Sequence, residues 1–323
     1  MSLYPKTKAL EGRITIFTRV ISIMFMLFGI GAAIAQLAKI SPFLESYPGW
    51  TWNLSNISAL ILGILLFLLG KSPAIKRLVH FSLFSGRETM KRFLLVFPIF
   101  ATIILLLIKF RLGDSRSYRM ILDEGGFIEY GTVIAYFLAG GFSIPIGRYF
   151  FRLRQNVFGW GYYLYSAFFL FVGLEEVSWG QRLFGWELPP FFETYNVQEE
   201  FTIHNLVWFQ DYWGEGIIGI SFLCLLGIVF WYRSHRQQQQ GGYHYLTYLI
   251  PSWFLAIFFS LALVIYVILE YTDGLGFVIS RDQEFAELLL SLGFLFFVIV
   301  NYFRQVFDFG VLKPRAEDRE LRL

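Results

Sequence analysis

A dense group of acid–base side chains occupies one short stretch of this sequence. Its members are Glu175, Glu176, Arg182 and His204. Carboxylates and imidazole rings exchange protons near neutral pH, and a guanidinium binds an anionic group through paired hydrogen bonds. We predict that Glu175 or Glu176 acts as a general base or as a ligand of a hard metal ion, and His204 as a general acid or base. Arg182 would hold an anionic headgroup, and a purely hydrogen-bonding role is the competing interpretation for His204.

Polar side chains suited to substrate binding accompany this group. We predict this role for Glu129, Asn196, Gln198, Glu200 and Asn205. Further carboxylates stand at the ends of apolar runs, at Glu270, Glu284 and Glu287. Carboxylates that converge repel one another, so such a cluster would need an arginine, a bound cation or a shared proton. The competing interpretation is that these carboxylates are separately hydrated at a membrane surface.

The available metal ligands favour oxygen over nitrogen and sulfur. His204 is the histidine of this stretch, and the single cysteine, Cys224, lies inside an apolar run. A zinc site usually takes two or three His or Cys ligands, so we expect no zinc site of that kind. Carboxylate and amide oxygens suit Ca²⁺, Mg²⁺ or Mn²⁺, and these residues are compatible with such a hard divalent cation as cofactor.

Two blocks of this stretch carry a resemblance to a known group of proteins. The first reads Glu-Glu-Val-Ser-Trp-Gly-Gln-Arg at 175–182. The second contains Asn196, Gln198, Glu200, His204 and Asn205. Together with the stretch 123–129, they resemble blocks in a family of uncharacterised bacterial multi-pass membrane proteins. The resemblance implies a bacterial membrane protein, and it brings no established activity with it.

The remaining sequence indicates the elements that must position these residues. Of 323 residues, 56% are hydrophobic and 16% are charged, whereas soluble domains average about 45–50% and 25%. Eight apolar runs look like spanning helices, of which the second, sixth and eighth are short; they cover 20–37, 54–69, 93–108, 127–146, 157–174, 217–231, 249–269 and 287–302. Backbone polar groups must be satisfied within the hydrocarbon region. We therefore predict an all-α polytopic transmembrane helix bundle of about eight spans, forming one membrane domain at 1–323.

The basic residues predict the orientation of this bundle. If alternate connections lie on opposite sides, 20 of the 27 Lys and Arg residues fall on the side of both termini. By the positive-inside rule both termini are cytoplasmic, including a tail at 303–323. We expect the protein in a bacterial inner (plasma) membrane, with lipid as its surroundings. The small net charge of +3 indicates no nucleic-acid partner.

Under this topology, residues 175–216 form a long extracytoplasmic loop. We predict a short interfacial helix at 201–213, and we assign Trp208, Tyr212 and Trp213 to the interfacial aromatic belt. An alternative topology remains open, because Ala33 and Ala35 resemble a signal-peptidase site. Cleavage there would leave seven spans and an external amino terminus.

Three functions are compatible with this arrangement. The first is a hydrolase or transferase that acts on a membrane lipid or a lipid-linked substrate at the outer surface. The second is a transporter for protons, cations or a small solute, with Glu129 and Glu270 on the pathway. Carriers commonly bind their cargo near the membrane midplane, where most of these spans lack ionisable residues. The third is a non-catalytic assembly or partner subunit that docks through the long loop, and the sequence leaves its oligomeric state open.

Overall fold

The computed structural model describes six stretches of the chain: 87–112, 116–122, 126–181, 187–237, 248–272 and 279–307. Several sequence predictions lie outside them, namely the apolar runs 20–37 and 54–69, the alternative cleavage site, Arg182, and the tail beyond residue 307. Within the described stretches the chain is helical, and the isolated bridge between Asn196 and Leu206 is the only β pairing among these residues.

Nine α-helices follow one another in the described stretches. They are α1 (Arg87–Leu112), α2 (Arg116–Leu122), α3 (Phe127–Arg152), α4 (Asn156–Glu176), α5 (Pro190–Tyr195), α6 (Val207–Gln210), α7 (Trp213–Gln237), α8 (Ala256–Tyr271) and α9 (Gln283–Phe307). Short 3-10 turns at Ser178–Gly180, Trp253–Leu255 and Ser280–Asp282 adjoin α4, α8 and α9. α9 continues past its apolar run to Phe307, so residues 303–307 of the predicted tail are helical.

Six helical segments of this structure are long and apolar enough to cross a membrane. They are Met90–Leu112, Tyr118–Arg152, Asn156–Glu176, Trp213–Phe230, Trp253–Tyr271 and Gln283–Gln305. They coincide with the last six predicted runs. The prediction of an all-α, membrane-type helix bundle is thereby confirmed for the described residues.

The bundle is built around α9. The α9 span has 72% of its apolar window buried inside the protein, against 22% for the span in α1. It packs between α3 and α8, while α4 covers α3 and α7 covers α8. The outer helices instead expose large apolar side chains such as Val157, Leu164 and Leu223. Exposed apolar faces of this extent suit lipid and would be unusual in water.

A small residue brings α3 and α4 into close contact. A side chain at Gly140 would place a Cβ atom 2.8 Å from Leu170 and 3.2 Å from the Ser166 carbonyl. The Ser166 hydroxyl donates a hydrogen bond across the interface to the Gly140 carbonyl at 2.9 Å. Small residues and interhelical hydrogen bonds are the usual means of packing helices in lipid, where the hydrophobic effect does not drive helix association.

The long loop differs from its prediction at both ends. Glu175 and Glu176 are the last residues of α4, and Trp213 is the first residue of α7, so the loop itself is 177–212. The predicted interfacial helix at 201–213 is wrong in extent, because only Val207–Gln210 is helical before α7. Residues 201–206 form turns instead, since side chains from α4 and the following turn bind their backbone.

Candidate functional site

The ends of five spanning helices meet around a cavity of about 120 Å³. α3, α7 and α9 contribute their first turns, α4 and α8 contribute their last turns, and the long loop covers one side. The lining residues are Glu129, Glu175, Glu176, Gln198, Glu200, His204, Asn205, Gln210, Trp213, Gly214, Tyr266, Glu270, Gln283, Glu284 and Glu287. Seven of the nine predicted site residues are among them. The other two are Asn196, which lies inside the loop, and Arg182, which lies outside the described residues.

Glu175 joins the end of α4 to the loop. Its Oε2 atom accepts hydrogen bonds from the backbone N–H groups of Ile203 at 2.7 Å and His204 at 3.2 Å. The same oxygen lies 3.2 Å from Nδ1 of His204, and Oε1 accepts the indole N–H of Trp179 at 2.5 Å. Glu175 is buried, so this set of donors replaces its hydration. Its carboxylate is an anchor for the loop as well as a partner for the imidazole.

The pairing with Glu175 decides which nitrogen of His204 can accept a proton. An ionised carboxylate only accepts hydrogen bonds, so Nδ1 carries the proton and Nε2 keeps its lone pair. Because His204 lines the cavity, its Nε2 atom is the ring nitrogen that can accept a proton from a molecule bound there. We predicted Glu175 or Glu176 as a general base and His204 as a general acid or base; Glu175 contacts Nδ1 of His204, and the roles of these residues stay predictions.

A strained turn follows α4 directly. Ser178, Trp179 and Gly180 have φ values of 50, 53 and 82 degrees, and a left-handed conformation costs a non-glycine residue about 1–2 kcal/mol. The turn brings the Trp179 indole back onto Glu175, and the buried hydroxyl of Ser178 donates to Oε2 of Glu200 at 2.9 Å. Ser178 is thus engaged with Glu200 and not with His204.

The second sequence block folds around the side chain of Asn196. Its Nδ2 group donates to the Thr202 carbonyl at 2.9 Å, and its Oδ1 atom accepts the backbone N–H groups of Gln198 and Glu200 at 3.0 and 3.1 Å. Asn205 donates to the side-chain oxygen of Gln198 at 2.8 Å. Asn196 therefore shapes the loop from within, whereas Gln198, Glu200 and Asn205 also reach the cavity wall.

Gln181 locks the two sequence blocks together. Its Oε1 atom accepts the backbone N–H of Phe201 at 2.5 Å, and its Nε2 group lies 3.4 Å from the Glu199 carbonyl. Glu199 adopts a left-handed φ of 54 degrees. The contacts of Gln181 and Glu175 thus tie the first sequence block to the backbone of the second.

The opposite wall of the cavity contains residues that the sequence did not assign to the site. Trp213 was predicted to face the membrane interface, yet its ring lies against that of His204 and its indole N–H donates to Glu287 at 3.1 Å. Tyr266 donates to the same Glu287 oxygen at 2.5 Å. Tyr266 lies one helical turn before Glu270, so a shared helix face was the signal that could have identified it.

A glycine makes room for one of the cavity carboxylates. A Cβ atom at Gly214 would collide with the carboxylate of Glu270, so a side chain at position 214 would require the flexible side chain of Glu270 to move. Trp208 and Tyr212, the other two predicted belt residues, are exposed as expected, at 56% and 71%. Trp213 alone of the three turns inward.

Charge at this cavity is strongly one-sided. Its seven carboxylates are Glu129, Glu175, Glu176, Glu200, Glu270, Glu284 and Glu287, and no Lys or Arg of the described stretches lines it. So many carboxylates favour the uptake of protons or cations. Yet in the described part of the chain no three His, Cys, Asp or Glu side chains form a group that could hold a metal ion. The hard divalent cation therefore stays a prediction.

A buried ion pair fixes the start of α9 beside this cavity. Lys109 of α1 pairs with Asp282, which precedes α9. Asp282 also accepts the Tyr118 hydroxyl at 2.6 Å and the backbone N–H of Ile279 at 2.8 Å. A buried carboxylate with this many donors is well compensated. The pair therefore positions the first turn of α9, where Gln283, Glu284 and Glu287 line the cavity, without lining it itself.

Comparison of the chain with protein-family models, with curated proteins and with solved structures found no match. The arrangement of the site residues is therefore the basis for any functional inference.

Proposed function

We propose that this protein is a membrane-embedded enzyme, a hydrolase or transferase that acts on a lipid or lipid-linked substrate. The supporting observation is the Glu175–His204 pair on a cavity formed by the ends of spanning helices. A carboxylate that fixes the tautomer of an imidazole is the arrangement that general-base catalysis requires. At the end of a span, such a base would meet the polar bond of a lipid headgroup.

The reaction would begin with the transfer of a proton to Nε2 of His204. The proton comes from the attacking hydroxyl group, which is water in a hydrolase and an acceptor alcohol in a transferase. As its O–H bond breaks, the oxygen bonds to the electrophilic carbon or phosphorus of the substrate. The bond to the leaving oxygen then breaks, and that oxygen takes the proton back from His204. Glu175 keeps its hydrogen bond to Nδ1 throughout and stabilises the transient imidazolium.

The number of spans and their orientation in the membrane are part of the same proposal. The bundle has eight spans, including the runs 20–37 and 54–69, with both termini in the cytoplasm of a bacterium and the cavity at the outer face of its plasma membrane. The count of 20 among 27 basic residues on one side supports this orientation. A Cys224→Ser, Glu193→Cys variant tests it: a membrane-impermeant maleimide should label the cysteine at 193 in intact spheroplasts, and labelling only after lysis would reverse the orientation.

The enzyme proposal is tested by following lipids through purified protein. Wild-type protein in nanodiscs is incubated with a bacterial total lipid extract, and mass spectrometry identifies species that are consumed or formed. We expect His204→Gln to lower the conversion by about 10²-fold or more, and Glu175→Gln to lower it through loss of the oriented tautomer. Glu193→Gln, an exposed loop carboxylate away from the cavity, is the matched control. Undiminished conversion by His204→Gln and Glu175→Gln would refute the proposal.

Transport of protons or cations is the second candidate, favoured by the seven carboxylates of the cavity. Proteoliposomes with an internal pH or cation indicator would then show a flux that Glu129→Gln abolishes and Glu193→Gln retains. A flux of this kind, together with unchanged lipids in the nanodisc assay, would replace the enzyme proposal. Absence of a flux in wild-type proteoliposomes would remove this candidate.

A further inference from the structure

The imidazole of His204 is held on two sides. Glu175 contacts its Nδ1 edge at 3.2 Å, and the indole of Trp213 covers its face, with ring centroids 5.0 Å apart and planes at 31 degrees. A single hydrogen bond at Nδ1 leaves the ring free to rock about that contact. A stacked aromatic face removes this freedom. The two contacts together determine where Nε2 lies.

Trp213 is itself held by a buried carboxylate. Its indole N–H donates to Oε1 of Glu287 at 3.1 Å, and the Tyr266 hydroxyl donates to the same oxygen at 2.5 Å. Glu287 is 8% exposed and Tyr266 1%. A buried carboxylate that loses a donor is left with an uncompensated charge, which is strongly unfavourable. The indole is therefore tied to α9 directly, and to Tyr266 of α8 through the shared oxygen of Glu287.

We propose that Trp213 is the positioning residue that sets the ring plane of His204, and that Glu287 holds Trp213 in place for this purpose. The inference rests on the proposed function, since ring position matters only if Nε2 reacts. The same contact acts on the intermediate: a cation over an indole face is stabilised, and His204 becomes a cation when it takes the proton. The negative charge of Glu287 at the N–H edge of the indole acts in the same direction.

The ring nitrogens of His204 provide a direct readout without substrate. The chain has four histidines, so ¹⁵N-histidine labelling in detergent micelles gives few signals, and His204→Gln identifies the one of interest. In the wild type we expect two well-separated ¹⁵N shifts, because one tautomer dominates. Trp213→Leu should reduce this separation at least twofold, because a mobile ring loses its hydrogen bond to Glu175 for part of the time and the other tautomer then becomes populated. Trp213→Phe, which keeps an aromatic face, should retain most of it.

Variants of Glu287 distinguish the effect of the Glu287–Trp213 hydrogen bond from that of the ring contact between Trp213 and His204. Glu287→Ala should reproduce the narrowed separation although Trp213 is present, whereas Glu287→Gln should keep it, because the amide oxygen still accepts both donors. The matched control is Trp208→Leu, which changes an exposed tryptophan of the loop that also contains His204. It should leave the separation of the two ¹⁵N shifts unchanged. An unchanged separation in Trp213→Leu, or an equal loss in Trp208→Leu, would overturn the inference.

The test is independent of both folding failure and the enzyme assay. Circular dichroism and thermal unfolding verify each variant, and if Trp213→Leu does not fold, the comparison of Trp213→Phe with Glu287→Ala decides the same question. Inactive His204→Gln together with wild-type shifts in Trp213→Leu would overturn the role of Trp213 alone. Fully active His204→Gln together with narrowed shifts in Trp213→Leu would overturn the proposed function while the ring contact stands.

Discussion

Both ends of the helix bundle bury polar side chains, but they do so with opposite chemistry. At the end remote from the cavity, Asn301 donates to the Tyr162 hydroxyl at 2.8 Å and to the Tyr248 carbonyl at 3.2 Å. Its own oxygen accepts from Arg304 at 2.7 Å, and Arg304 also reaches the Ser252 hydroxyl at 2.8 Å. These donors and acceptors are neutral or cationic, and they satisfy one another across α4, α9 and the segment before α8.

At the cavity end, the buried polar side chains include the carboxylates Glu129, Glu175 and Glu287. Glu175 and Glu287 are engaged in hydrogen bonds and hold other groups in place, as Asn301 does at the opposite end. The cavity nevertheless brings seven carboxylates together, and no Lys or Arg of the described residues lines it. Mutually satisfied polar groups are what a stable bundle requires, whereas an unbalanced set around a cavity is typical of a site that handles protons or ligands. The comparison separates a structural end from a chemical one.

The largest expected effect on stability is at the structural end. Asn301→Ala removes three hydrogen bonds in a fully buried position, so we expect the free energy of unfolding to fall by about 2–3 kcal/mol. Activity per folded molecule should remain unchanged in the nanodisc assay. Ser291→Ala, which removes a buried hydroxyl bonded only within its own helix, is the control and should cost about 1 kcal/mol or less. Loss of activity in Asn301→Ala at unchanged thermal stability would erase the distinction between the two ends.

A smaller effect is expected where the two sequence blocks interlock. Gln181→Ala leaves the backbone N–H of Phe201 without its acceptor, at an expected cost of about 1–2 kcal/mol. Because that contact is local, the loop should open before the bundle unfolds. Hydrogen exchange should therefore quicken at Phe201 and Ile203 while the amides of α9 stay protected. Exchange that quickened equally in α9 would mean that the loop and the bundle unfold as one unit.

The spans could be predicted from the sequence because a bilayer requires a definite length of apolar helix. Their ends could not, since helices continue past the apolar run: α9 was predicted at 287–302 and extends over Gln283–Phe307. For the same reason we predicted that Glu175 and Glu176 begin the loop, whereas they are the last residues of α4. The helix predicted at 201–213 failed for another reason, because Glu175 and Gln181 bind the backbone of that segment from outside it.

The acidic part of the site was predictable for a geometric reason. Alternate spans run in opposite directions, so carboxylates at the correct ends of several spans reach one membrane level. Trp213 and Tyr266 were not predicted, since aromatic residues near span ends usually belong to the interfacial belt. Which way an aromatic ring turns depends on contacts with other helices, and the inward turn of Trp213 follows from Glu287, 74 residues away in the chain.

The smallest expected change in the free energy of unfolding is at Glu270, an exposed carboxylate of the cavity. The sign of this change distinguishes the two ends of the bundle most clearly. Glu270→Gln removes one of seven charges with little change in shape, so the free energy of unfolding should rise slightly or stay within about 0.5 kcal/mol of the wild type. Removing a like charge relieves repulsion, and added salt should diminish the gain by screening it. Thermal unfolding in detergent at low and high salt measures the change in stability and its dependence on salt. Glu193→Gln is the control outside the cavity. A loss of more than about 1 kcal/mol in Glu270→Gln would mean that this carboxylate is a structural partner, as Asn301 is at the opposite end, and the surplus of negative charge at the cavity would then need another explanation.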